Sequence, residues 1–299
     1  MEAQTTNQAG AVVQKSSALT LIECPRDAMQ GWPRHIPVAE KVAYLNTLLR
    51  VGFDVLDFGS FVSAKAIPQL ADTKEVIPQL QLGDGRTKLL AIVANTRGAE
   101  EAVVYDEIAY IGFPFSISET FQQRNTNKSM AEALIQIEDI QRLCLQRGKG
   151  LVVYISMGFG NPYGDAYSAE VAISWVEKLA AMGIRTIAMS DTVGVADPTT
   201  IDYVFRQLIP AFPLVSIGAH FHASANNWEE KVSSAYAAGC TRFDSALKGI
   251  GGCPMAKNEL VGNLATENLI YWCDQNDIYL HLDREALEEA MSIASRIFV

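Results

Sequence analysis

Residues 151–190 read LVVYISMGFGNPYGDAYSAEVAISWVEKLAAMGIRTIAMS. Two apolar runs, LVVYISM (151–157) and IRTIAMS (184–190), flank an amphipathic stretch, SAEVAISWVEKLAAMG (168–183). Continuous rather than alternating hydrophobicity marks a parallel strand covered on both faces. Ser168 has the chemistry of a helix start, and Gly183 stands where the residue after a helix belongs. The stretch predicts a strand–helix–strand unit with parallel strands.

The same rhythm extends in both directions. TLIEC (20–24), DVLDFG (54–59), KLLAIVAN (88–95) and EIAYIGF (107–113) precede it; LVSIGAHFH (214–222) and TRFDSA (241–246) follow. Between strands lie helical stretches such as VAEKVAYLNTLLRVG (38–52) and SMAEALIQIEDIQRLCLQRG (129–148), ending on Gly52 and Gly148, while Asp197-Pro198 reads as a helix start. Eight strand–helix repeats in roughly 250 residues predict an α/β fold, a (β/α)8 TIM barrel, with an additional C-terminal helix around residues 285–298. A doubly wound sheet would place a Gly-rich phosphate turn after its first strand; here that turn is Pro25-Arg26-Asp27. No Pro-, Gly- or Ser-rich linker divides the chain. Residues 19–299 are therefore expected to form a single barrel domain, and the polar residues 1–18 a flexible N-terminal tail.

The 299 residues are 49% hydrophobic and 19% charged, which suits a sizeable core and excludes general disorder. With 24 Lys+Arg against 34 Asp+Glu the net charge is −10, which argues against nucleic acid as a partner. An anionic substrate must then be held by a few local cations. Five cysteines without a CxxC pair form no disulfide framework, so a reducing, cytoplasmic location is expected. No apolar run reaches the ~18 residues of a membrane span, and no membrane partner is expected. The first eighteen residues lack the marks of a secretion or mitochondrial signal.

In a barrel, chemistry gathers at the C-terminal ends of the strands. His220 and His222, two of only four histidines, stand at i, i+2 on one strand, so both imidazoles face one side. They could share one cation; the plain alternative is two unrelated histidines. Asp27, otherwise a turn former or helix cap, would join them with an amide such as Asn263 in a mixed N/O site. Such ligation suits Mg²⁺ or Mn²⁺, with Co²⁺ or Zn²⁺ credible beside two imidazoles. Arg26 precedes Asp27, and along an extended chain the two side chains should diverge; a surface salt bridge is its plain reading. Cys253, after two glycines and before a proline, is either a buried small residue or a thiol on a moving loop. Asp191, ending strand 6, is a base, a partner to another site residue or a cap.

Taken together, Arg26-Asp27, GSFVSAKAIPQLADTKEV (59–76), SDTVGVADP (190–198), the HxH at 220–222 and GIGGCPMAKNELVGNLATENL (249–269) resemble the 3-hydroxy-3-methylglutaryl-CoA lyase family. That family belongs to the metal-dependent lyases and condensing enzymes built on a (β/α)8 barrel. The resemblance spans essentially residues 19–280, and GGCP…GNLATE is its most specific part. It implies that Asp27, His220, His222 and Asn263 hold Mg²⁺ or Mn²⁺, and that Arg26 stabilises the enolate of the departing thioester. Cys253 would be the catalytic cysteine, Asp191 an active-site aspartate and Glu267 a glutamate near the metal; His220 could combine ligation with proton transfer. The implied reaction is cleavage of an acyl-CoA thioester to acetoacetate and acetyl-CoA, in an expected homodimer. A Claisen condensing enzyme or aldolase of the same superfamily, or a barrel without turnover, are the rival readings. Three positions depart from the family pattern. A glutamate usual four residues before the motif arginine is Ile22, with Glu23 displaced by one and so facing the other way. An arginine usual in strand 5 falls at Val152, and an aspartate usual after HxH at Ala223.

Overall fold

A computed structural model describes residues 19–83, 85–252 and 261–299. The expected tail, residues 1–18, and Cys253 lie outside the described residues.

The chain begins with β1 (Thr20–Glu23), α1 (Pro25–Gln30), α2 (Val38–Val51), β2 (Val55–Ser60) and the short α3 (Thr73–Val76). Next come β3 (Lys88–Ile92), α4 (Thr96–Ala102), β4 (Ile108–Ser116), α5 (Glu119–Thr126) and α6 (Met130–Gln146). The central unit follows as predicted: β5 (Gly150–Ser156), α7 (Ala169–Ala181), β6 (Thr186–Asp191). The last part holds α8 (Pro198–Ala211), β7 (Ser216–Ala223), α9 (Trp228–Ala237), β8 (Arg242–Ser245), β9 (Gly262–Asn263), α10 (Thr266–Gln275) and α11 (Arg284–Ile297). Strands β1 to β8 pair in parallel, each with its sequence neighbours, and β8 pairs back with β1, so the barrel closes. The additional C-terminal helix is α11, packed on α2. Among the described residues no helix is long and apolar enough to cross a membrane.

Local chemistry sets the boundaries. Ser168 accepts from the Val171 N–H and Asp197 from the Thr199 and Thr200 N–H groups, each satisfying an otherwise orphaned donor of the first turn. Ser129 and Glu132 form a reciprocal capping box on α6. Gly52, Gly148 and Gly183 all take left-handed backbone, with φ of +83°, +64° and +87°. The turn expected at Pro25-Arg26-Asp27 is instead the helix α1. Pro25 at its first position has its φ fixed at a helical value and loses no hydrogen bond there.

Strand alternation divides the apolar residues into two clusters. Leu21, Leu56, Val153, Ile155, Ile187 and Met189 belong to the large one, between the strands and their helices. Ile22, Val55, Leu90, Val152, Tyr154 and Ala188 form the smaller one, inside the barrel. Ile22 and Val152 are fully buried there, and Glu23 faces the opposite side, as its displacement by one residue predicts. Gly112 makes room for this filling: a Cβ on it would sit 2.5 Å from Ile92 Cδ1 and 3.1 Å from Tyr154 Cε2. Gly112→Val should therefore lower stability by about 1–3 kcal/mol through overpacking, read as a lower urea midpoint at unchanged slope.

Candidate active site

The strand register brings the site together. His220 pairs with Ser190 on one side and with Asp244 on the other, so these three residues share the inner face of the barrel. His222 pairs with Asn263 through a two-residue antiparallel bridge between β7 and β9. Residues 41 positions apart in sequence are thereby set side by side, at the mouth where α1 presents Arg26 and Asp27. Single ligand atoms of Asp27, His220 and His222 lie within 4.8 Å of one another. A cavity of about 390 Å³ opens over them, walled by Val62, Ile67, Ile92, Pro114, Phe121 and Tyr154.

Each imidazole is oriented by its Nδ1. That of His222 lies 2.8 Å from the Thr192 carbonyl oxygen, which can only accept, so Nδ1 carries the proton and Nε2 keeps a free lone pair. That of His220 lies 3.1 Å from Asp244 Oδ2. Such partners fix the ring of a metal-binding histidine and raise its basicity. Burial pushes the His222 pKa down to about 4, and the neighbouring His220 acts in the same sense. Burial also opposes charge on His220, but the Asp244 carboxylate outweighs it and holds that pKa above the usual value. Burial would raise the Asp27 pKa; Arg26, then His220 and the Asn263 amide, overcome it and keep the carboxyl ionised. The Asn263 Nδ2 donates to Asp27 Oδ2 at 2.7 Å and to the Ile250 carbonyl at 2.9 Å.

Arg26 and Asp27 do not diverge, because they stand on a helix rather than a strand. Arg26 Nη1 donates to Asp27 Oδ1 at 2.7 Å and to Gln30 Oε1 at 3.0 Å. Its Nε and Nη2 grip Asp57 of β2, the latter at 2.6 Å. The pair is buried, not a surface salt bridge. A guanidinium has five N–H groups, so among the described residues one Nη2 hydrogen is left for a ligand in the cavity. Burial works against the Arg26 charge; Asp57 and Asp27 more than restore it.

Asp191 stands apart from this cluster. It pairs in register with Phe221, on the outer face of the strands. Its carboxylate is taken up by Lys231 Nζ at 2.6 Å and by the Val195 and Ala196 N–H groups. Lys231 also donates to the carbonyls of Gly194 and His222. Asp191 thus fastens the loop after β6 to the end of β7. Glu267, in the first turn of α10, accepts from the Lys248 N–H. The sequence reading passed over Asp57, Asp244 and Lys231. Asp57 carries a signal, a lone acid in a largely apolar strand, which burial tolerates only beside a partner; Asp244, in the polar run Arg242–Ser245, and Lys231 carry none.

For the metal-free protein, the depressed His222 pKa fixes a sign. Between about pH 4 and 6.5 the unfolded chain binds a proton at this residue that the folded chain does not, so its contribution makes stability rise with pH there. At pH 6, ¹⁵N spectra of the metal-free protein should show His222 neutral with Nε2 unprotonated; an imidazole charged at that pH would contradict the geometry.

Comparison with known proteins adds to this picture. The family model described as HMGL-like matches residues 21–294. A hydroxymethylglutaryl-CoA lyase of Bacillus subtilis is 32% identical over 269 residues, covering 89% of this chain and 88% of that one. A 3-hydroxy-3-isohexenylglutaryl-CoA/hydroxy-methylglutaryl-CoA lyase of Pseudomonas aeruginosa is 31% identical over 268 residues, with coverages of 89% and 88%. Among solved structures, an HMG-CoA lyase from Acinetobacter baumannii in complex with coenzyme A and 3-methylmalate is similar with a TM-score of 0.85. It is 30% identical, covering 93% of this chain and 90% of that one.

Proposed function

The chain belongs to the HMGL-like family, and from that premise we propose that it is a hydroxymethylglutaryl-CoA lyase-like carbon–carbon lyase. Its substrate is a 3-hydroxy-3-methylglutaryl-CoA-type thioester and its products are acetoacetate and acetyl-CoA. The observation that carries the reading is the convergence of Asp27, His220 and His222 at one point beside the Arg26 guanidinium. The coenzyme A complex of the Acinetobacter relative supports an acyl-CoA substrate.

The donor set fits a divalent cation. Asp27 offers a carboxylate and the two histidines their Nε2 atoms, and Asn263 stands next to His222. Three acids surround the point, Asp27, Asp57 and Asp244, and Arg26 counters one of them. Two negative charges remain, which a divalent ion balances. Mixed imidazole and oxygen ligation without a thiolate suits Mg²⁺ or Mn²⁺. When bound, such an ion acts as a Lewis acid that lowers the pKa of the substrate's tertiary hydroxyl.

The residues of the chain do the rest. Breaking the bond between C2 and C3 turns the hydroxyl-bearing carbon into a ketone and leaves the electron pair on the thioester as an enolate. The hydroxyl proton leaves, and a proton returns to C2, so the reaction needs no co-reactant. Arg26 aims its remaining N–H at the thioester oxygen, where negative charge develops. Where Asp27, His222 and Asn263 would hold the ion, His220 Nε2 is free to take the hydroxyl proton, with Asp244 steadying the ring through Nδ1. By resemblance, Cys253 delivers the proton to C2. In this reading the enzyme works as a cytoplasmic homodimer; the four described cysteines, all buried thiols, suit a reducing compartment.

Arg26→Met, assayed at saturating Mn²⁺ because Arg26 also keeps Asp27 ionised, should lower kcat by roughly 10²–10³-fold, the scale of losing one oxyanion donor. Asp57 loses its counterion in that variant but can take up a proton, since burial already pushes its pKa up to about 6. A change confined to KM would show uniform binding instead.

Substrate choice falls to the three departures. Ile22 and Val152 make the barrel floor apolar, and Ala223 offers no hydrogen bond at the rim. A substrate carboxylate left without a partner costs about 1–3 kcal/mol per missing hydrogen bond, or about 5–150-fold in kcat/KM. A panel of 3-hydroxyacyl-CoA thioesters varied at C3 and in the distal carboxylate, assayed with Mn²⁺, should show cleavage of 3-hydroxy-3-methylglutaryl-CoA or a close relative. Cleavage of no member by metal-loaded protein would overturn the lyase reading.

A further inference from the structure

Glu23 is fully buried at the end of β1, yet it faces away from the cavity and takes no part in the chemistry above. Its two oxygens reach the two ends of one segment. Oε1 accepts from the Leu247 N–H at 2.9 Å, and Oε2 lies 2.5 Å from Thr266 Oγ1. Thr266 Oγ1 lies in turn 2.8 Å from Ser245 Oγ, and Ser245 is the register partner of Glu23 across the β1–β8 seam. Within that stretch, β9 places Asn263 against His222 and Asp27. Around the feet of this segment the Ala246 N–H donates to the Leu264 carbonyl and the Thr266 N–H to the Ala246 carbonyl.

We propose that Glu23 is a positioning residue for the metal site: by holding Leu247 and Thr266 together under the barrel mouth, it sets the height at which Asn263 meets Asp27. The inference rests on the proposed reading of Asn263 as a ligand. A carboxyl group is well suited to the task because its two oxygens, held in one plane, tie the Leu247 backbone and the Thr266 hydroxyl with a single side chain. Burial pushes its pKa up to about 8, against the bonds from Thr266 and Leu247, with Glu267 adding to the rise. The other titratable groups sharing its field are the Tyr44 hydroxyl on α2 and the Cys24 thiol, neither of them a cation. In the neutral range the group is therefore largely an acid. Its O–H then donates to Thr266 Oγ1, and Thr266 passes its own hydrogen to Ser245. An amide can reproduce that pattern, with its oxygen accepting from Leu247 and its NH₂ donating to Thr266.

The test compares Mn²⁺ affinity, kcat and KM in Glu23→Leu, Glu23→Gln, Thr266→Val and Asn263→Ala. Expected for Glu23→Leu is a loss of Mn²⁺ affinity of about 10–100-fold, the scale for a residue that supports a ligand, with kcat falling and KM for the thioester little changed. Glu23→Gln should recover most of that loss. If Glu23→Leu shows no cooperative melting transition, Thr266→Val decides: weakened Mn²⁺ binding supports the inference and wild-type binding overturns it. Wild-type Mn²⁺ affinity in a folded Glu23→Leu, beside weakened binding in Asn263→Ala, would overturn the inference alone. Unchanged affinity in Asn263→Ala would overturn the role of Asn263 as a ligand and the inference with it.

Discussion

Successive residues of a strand face opposite sides, and in a closed parallel barrel one side is a filled interior while the other meets helices. That single alternation decides which side chains share the interior. It turns His220 and His222 inward together and puts Asp244 beside the first of them. It places Asp57 in the same interior, where Arg26 meets it. It turns Glu23 and Asp191 outward, where each is bound by groups that hold loops in place. A shift of one residue in β1 would turn Glu23, and one in β6 would turn Asp191, into the cavity and away from its partners.

Much of this is legible in the sequence, because the features concerned are local. Continuous apolar runs, Ser168 and Asp197 as helix starts, and glycines after helices announce the strand–helix rhythm from chemistry within a few residues. The HxH pair is legible for the same reason. The rest depends on register between distant strands. No local pattern states that Asp244 stands next to His220, or that the Asn263 bridge to β7 exists at all. The helical form of Pro25–Gln30 was misread because a proline after a strand fits a turn as well as a first helical position. Parity alone puts Asp191 on the outer face: Ser190, not Asp191, falls level with His220.

The charges of the site form a chain of mutual support. Arg26 is buried yet ionised because Asp57 and Asp27 accept from two of its edges. An isolated buried guanidinium would be very costly. Asp27 in turn stays ionised beside Arg26 and so is ready as a ligand, while burial keeps His222 neutral, which is the ligating form. The apolar floor of Ile22, Val152 and Ala188 excludes water below this layer and strengthens each of these interactions.

The closing seam of the barrel has a consequence for how the protein comes into being. Strand β1 finds its second neighbour only when β8, more than 200 residues later, docks beside it. Until that moment Asp57 and both histidines stand on strands, and Arg26 on α1, with an open gap between the first strand and the last. The closeness of Asp27 to His220 and His222 therefore depends on that seam, and a break in it would part the three side chains.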